Sequence, residues 1–142
     1  MPLNVTKSLD KTLDGSHLEL RRTCRRFAEL EITPHIYEWE EAELFPAELY
    51  KKAGDAGPLG IGFPEEVGGS GGDALHSMMV TEGLMVSGST GVIAGLYSAG
   101  IALPPIVQAK DPDQIDRFVR PVLAGDKISA LGITEPGAGS DV

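Results

Sequence analysis

The sequence predicts a mainly α-helical fold that turns to a β-strand only near its C-terminus. Three observations carry this. Helix-start signals recur along the chain. The apolar residues after each signal fall at helical spacing. A strand-like run follows a turn once, at 127–133.

The elements read as follows. Ser16-His17-Leu18-Glu19 has the form of a capping box, a hydroxyl for one free amide and a carboxylate reaching back to another. Leu20, Cys24, Phe27 and Leu30 then form the apolar stripe of a helix to about Ile32, with Arg21, Arg22, Arg25 and Arg26 on its solvated face. Pro34 interrupts the pattern and kinks the helix rather than ending it. Glu38, Glu40, Glu41 and Glu43 surround Trp39 as an acidic patch.

A second helix is expected from Pro46, which suits a first helical position, with Leu49, Ala53 and Ala56 inward and Gly57 as its stop. The loop PLGIGFPEEVGGSGG follows. Asp73 caps a third helix to about Ser87. A fourth, glycine- and alanine-rich, spans 91–103, where Gly91, Gly95 and Ala99 permit close backbone approach and Pro104-Pro105 stops or bends the chain. Asp111-Pro112-Asp113-Gln114 opens a fifth, with Ile115, Phe118, Val119 and Val122 inward and Gly125 at its end.

The 142 residues match one domain of ordinary size. Twelve Lys and Arg against 21 Asp and Glu give a net charge of −9, which argues against non-specific nucleic-acid binding. The one cysteine, Cys24, allows no internal disulfide and no cysteine-rich zinc site. Glycine is in excess, 18 against roughly ten expected. Thirteen of the 18 lie between Gly54 and Gly100, where tight turns or close packing must be needed. The N-terminus has neither the apolar run of a secretory signal nor the Arg-rich character of a transit peptide, so a cytoplasmic location is expected. Residues 83–109 carry no charge, but their glycines, prolines and hydroxyls and the missing basic flanks favour a buried helix over a membrane span.

Few motifs carry chemistry. There is no GxxxxGK[ST] loop, and no GxGxxG between a strand and a helix. His17, His35 and His76 are far apart, with no metal-ligand spacing among themselves or with Cys24, so no metal site is expected. Capping accounts for Asp73 beside His76. The C-terminal run Leu131-Gly132-Ile133-Thr134-Glu135-Pro136-Gly137-Ala138-Gly139-Ser140-Asp141 combines glycines with hydroxyls, which suits a ligand-holding loop or a simple turn.

The string ITEPGAGSD resembles the signature of the acyl-CoA dehydrogenase family. PEEVGGSGG, a PPI element, a charged helix ending in LAG and a strand leading into TEPGAGSD follow in the same order. The resemblance covers about Ser16 to the end. It implies an up-and-down helical bundle of that family's N-terminal domain over 16–126, preceded by an arm over 1–15 and followed at 127–142 by the truncated start of a β-domain.

The resemblance further implies that FAD lies along the TEPGAGSD segment. Leu131, Gly132, Ile133, Thr134, Gly139 and Ser140 would contact it, with Thr134 donating to the flavin edge. Ser140 would also lie near the pantetheine arm of the substrate. Leu131 stands where family members often carry an aromatic residue, and Glu135 belongs to the turn. By position, Ile93, Leu96, Tyr97 and Gly100 would line the acyl-chain cavity.

The implied reaction is α,β-dehydrogenation of an acyl-CoA thioester to the trans-2-enoyl-CoA, with electrons passing to an electron-transfer flavoprotein. The implied base is a glutamate of a C-terminal helical domain, so no catalytic residue is expected among these 142, and the chain alone is expected to be inactive. A homo-oligomer is expected of the full-length protein. Acyl-CoA oxidases and flavin monooxygenases of the same fold, or a short non-catalytic chain pairing with a longer subunit, are the alternatives.

Overall fold

The computed structural model describes residues 12–139. Helix α1, Gly15–Phe27, is capped by Asp14, whose carboxylate accepts the Ser16 and His17 amides while the His17 ring faces the Asp14 amide. The capping box is therefore Asp14/His17 and not Ser16/Glu19. A carboxylate two residues earlier claims the free amides, and Glu19 pairs with Arg22 instead. The Ser16 hydroxyl and the His17 amide lower the Asp14 carboxyl to about 2.

A π-turn, Ala28–Ile32, continues α1. Its extra residue per turn rotates the inward face, so Ala28 and Ile32 are buried and Leu30 is 58% exposed, against expectation. A 3-10 turn at Thr33–His35, with Pro34 in its first turn, leads into α2, Ile36–Ala42, so the proline bends the path without ending it.

Helix α3, Glu48–Asp55, starts two residues after Pro46 and buries Leu49 and Ala53, and Gly57 follows it at φ 94°. The loop after it folds on itself. The Ser70 and Gly62 amides donate to Gly60 O and Gly71 O, each at 2.8 Å, and Ile61 and Gly71 form an isolated bridge. Gly69 is required there, since a Cβ would lie 2.1 Å from the Phe63 carbonyl oxygen.

Helix α4, Ala74–Leu84, begins at the Asp73 cap as expected and extends by a 3-10 turn to Ser87. It packs alongside α1. Ser16 meets His76, Arg21 meets Glu82 and Cys24 meets Gly83, so the two helices run parallel with their N-termini adjacent. A Cβ on Gly83 would sit 2.6 Å from Cys24 Cβ and 2.8 Å from Arg21 O.

The glycine-rich helix is broken. Helix α5, Thr90–Leu96, ends at Tyr97, and α6, Ala99–Ala102, leads through Leu103 into α7, Pro104–Ala109, with a 40° bend between 90–96 and 99–109. Pro104-Pro105 opens α7 rather than stopping its predecessor, because a first turn needs no proline N–H. Close approach falls at Gly95, against Phe45, whereas Gly91 and Gly100 are exposed.

Asp111 caps α8, Pro112–Gln114, which continues through a π-turn, Ile115–Val119, into α9, Arg120–Leu123. The π-turn again shifts the face. Val119 and Val122 are buried and Phe118 is 41% exposed, with the Arg117 guanidinium over its ring. Gly125 closes the run at φ 74°.

No strand forms at 127–133 among the described residues. The segment has no neighbouring strand to pair with, and an unpaired strand buries nothing. It is tied to the helices by the Ser98 hydroxyl, which donates to Ser129 O at 2.8 Å, and by Lys127, whose amide donates to Pro121 O at 3.1 Å and whose ammonium donates to Arg117 O at 3.0 Å.

Two cores result. The larger joins α1, its π-turn, α3, α4 and α5 through Cys24, Phe27, Ile32, Leu49, Leu84 and Leu96. The smaller joins α6 to α9 through Ala99, Leu103, Val119 and Leu123. Among the described residues, no single helix is long and apolar enough to cross a membrane.

Candidate functional site

A cavity of about 220 Å³ opens between three walls. Leu59, Ile61 and Phe63 of the folded loop form one, Ser77, Val80 and Thr81 of α4 the second, and Leu96, Tyr97, Ala99 and Gly100 at the α5–α6 break the third. The break matters here. The chain bends by 40° between 90–96 and 99–109, and residues from both sides of the bend line the space.

The lining is apolar in character. Ser77 and Thr81 direct their hydroxyls to carbonyls of their own helix or its cap, Asp73 O at 3.4 Å and Ser77 O at 3.2 Å. The volume lies below the roughly 300 Å³ at which drug-sized pockets begin. It suits a narrow aliphatic chain and excludes a dinucleotide.

The expected chain-lining residues divide. Leu96, Tyr97 and Gly100 line the cavity. Ile93 does not. It is 7% exposed and packs in the larger core. The facing wall of Leu59, Ile61 and Phe63 was missed, although apolar residues alternating with glycine in PLGIGF marked a segment that packs closely. Tyr97 also carries a buried hydroxyl with no hydrogen-bond partner. Burial, and then the nearby Cys24, push that phenol above its ordinary range.

The second candidate region is 128–139. Its one backbone hydrogen bond among the described residues is Ala138 N–H to Glu135 O. Leu131 is 51% and Ile133 54% exposed, and Thr134 and Gly132 are exposed beside them. A Cβ on Gly132, Gly137 or Gly139 would meet nothing within 4 Å. Apolar side chains, unengaged amides and a hydroxyl thus lie together on an open segment. That donor set suits the face and edge of a planar heterocycle. Ser140 lies outside the described residues. The cavity and this segment approach at Ser98, next to Tyr97.

Comparison with known proteins places the chain in one family. Residues 14–126 match the family described as "Acyl-CoA dehydrogenase, N-terminal domain", and the chain belongs to it. Over 132 residues the chain is 38% identical to the long-chain specific acyl-CoA dehydrogenase of mouse mitochondria (Mus musculus), covering 93% of this chain and 30% of that protein. A crystal structure assigned as an acyl-CoA dehydrogenase of Mycobacterium smegmatis superposes with a TM-score of 0.87 at 48% identity, over 91% of this chain and 34% of that one. An acyl-CoA dehydrogenase of Bacillus anthracis complexed with FAD does so with a TM-score of 0.80 at 30% identity, over 92% and 22%. The chain thus spans about a third or less of the length of these relatives.

Proposed function

We propose that this chain is the N-terminal helical part of an FAD-dependent acyl-CoA dehydrogenase that converts an acyl-CoA thioester to its trans-2-enoyl-CoA. The observation that carries the reading is the narrow apolar cavity at the α5–α6 break, beside the open segment at 128–139. A saturated acyl chain needs a dry, slender slot, and the ten lining residues supply one from three separate elements.

The residues of 128–139 fit a flavin. Leu131 and Ile133 offer apolar surface for the ring, the amide of Gly132 and the Thr134 hydroxyl offer donors for its edge, and Gly139, with Ser140 by the family resemblance, would lie near the pantetheine arm. When bound, FAD supplies the two-electron acceptor. This chain's own part is positional. The cavity walls hold the alkyl chain and exclude water, so that charge developing on the thioester is not screened. The loop holds the acceptor against the chain's reactive end. The proton-abstracting base is assigned to sequence outside these residues. An electron-transfer flavoprotein and a homo-oligomeric assembly complete the reading.

The test is anaerobic titration of the complete gene product with short-, medium- and long-chain acyl-CoAs. Loss of oxidised-flavin absorbance with appearance of enoyl-CoA is expected. A purified protein that is colourless after incubation with FAD, or a flavin that no acyl-CoA reduces, would refute the assignment.

A further inference from the structure

Parallel packing of α1 and α4 brings together three side chains that sequence spacing keeps apart. His17 Nε2 lies 3.3 Å from Asp73 Oδ1, and His76 Nδ1 lies 2.9 Å from the same oxygen. The two imidazoles are 3.9 Å apart at their centroids. One ligand atom from each of the three residues falls within 4.8 Å of every other. We infer that His17, Asp73 and His76 form a binding site for a divalent transition-metal ion of the zinc class.

The geometry favours it first. Metal–ligand bonds of about 2.0–2.1 Å place neighbouring ligand atoms roughly 2.9 Å apart at octahedral and 3.3 Å at tetrahedral angles. The two nitrogen–oxygen distances, 3.3 and 2.9 Å, fall within that range of edges. Two imidazoles and a carboxylate are the donor set that selects zinc, cobalt or nickel over magnesium or calcium. His17 is 5% exposed and Asp73 is exposed, so one side of the cluster faces water, which supplies a fourth ligand.

The ring nitrogens left over are also provided for. His17 Nδ1 stands 2.7 Å from Asp14 Oδ1, and His76 Nε2 stands 3.1 Å from the Ser16 hydroxyl. A metal on His17 Nε2 moves the ring proton to Nδ1, where it donates to Asp14 Oδ1 in place of accepting the Asp14 amide at 3.2 Å. A metal on His76 Nδ1 displaces the Asp73 amide that donates there at 3.3 Å and leaves Nε2–H to donate to Ser16. Such outer partners fix the tautomer and orientation of ligating histidines. Charge agrees as well. Each helix N-terminus carries roughly +0.5 elementary charge, about +1 for the pair. Asp14 and Asp73 set two negative charges against it, leaving the site attractive to a dication.

Capping alone also explains hydrogen bonds within the cluster, and the experiment separates the two accounts. The chain, stripped by chelator, is titrated with cobalt(II) and zinc(II), followed by visible absorption and by thermal denaturation. One equivalent of cobalt with ligand-field bands, displaced by zinc, and a Tm raised by several degrees in excess zinc are expected. His17→Ala and His76→Gln should each weaken binding at least ~10-fold, Asp14→Asn about 10-fold, and His35→Ala not at all. His76→Gln keeps a polar side chain at a position whose side chain is 20% exposed, so it reports on binding even if His17→Ala unfolds. Absence of a one-to-one site, or one that survives His76→Gln at full affinity, overturns the inference.

Discussion

The seam between α1 and α4 and the segment at 128–139 are opposite kinds of structure. At the seam, Gly83 touches Cys24 so closely that no Cβ fits, and Leu84, Val80 and Ile32 are almost wholly buried around it. In the segment, three glycines meet nothing and Leu131 and Ile133 stand half in solvent. The seam's residues satisfy one another. Those of the segment are apolar and donor-rich and make few contacts among the described residues, which is what the proposed flavin-holding role asks of them. On that proposal stability and function are encoded in different places, and substitutions should separate them.

The largest effect is expected at the seam's core. Leu84→Ala removes a side chain that is 1% exposed and should cost about 3 kcal/mol, read from urea denaturation. Gly83→Ala comes next. Alanine regains up to about 1 kcal/mol of helix propensity, but the new methyl would meet Cys24 Cβ at 2.6 Å and the Arg21 carbonyl oxygen at 2.8 Å, and backbone cannot yield cheaply. A net loss of about 2 kcal/mol is expected. A stable Gly83→Ala variant would break the comparison.

Cys24 gives a smaller, pH-dependent effect. Burial raises its thiol from an ordinary 9 to about 12. The unfolded thiol therefore ionises first. The stability this contributes is complete below pH 9 and is lost as pH rises from there toward 12. Cys24→Ala should flatten that alkaline decline in denaturation midpoints measured across the range. The smallest effect on stability is expected from Gly132→Ala, within about 0.5 kcal/mol, because a Cβ there meets no atom. In the flavin-loaded gene product the same change should lower flavin retention, measured by the ratio of flavin to protein absorbance after gel filtration.

Much of the fold was legible because it is written locally. Asp73, Asp111, Gly57 and Gly125 mark ends by rules that involve a few neighbouring residues, and each stands where the sequence put it. Periodicity failed at Leu30 and Phe118 for one reason. A π-turn spends an extra residue per revolution, and nothing in a 3.6-residue pattern announces it. The strand expected at 127–133 is not formed among the described residues, because pairing is a property of partners and propensity describes only the strand itself.

The candidate site was legible in part. Leu96, Tyr97 and Gly100 lie on the cavity, but Ile93 sits one turn earlier, where α5 faces the core. The opposite wall, and the meeting of His17 with His76, depend on which helices pack together and in which direction.

The hydroxyl of Ser98 joins the two regions. As a stabilising contact its bond to Ser129 is ordinary, about 1 kcal/mol. Its placement gives it another effect, on alignment. Ser98 follows Tyr97 at the cavity wall, and Ser129 precedes Leu131 by two residues, so this 2.8 Å bond helps set the distance between slot and loop. Where a chain's end must meet an acceptor, a displacement of about 1 Å can lower a rate about 100-fold. Removing this hydroxyl should lower the melting temperature by only a few degrees while loosening the register between the cavity wall and the segment that follows Ser129.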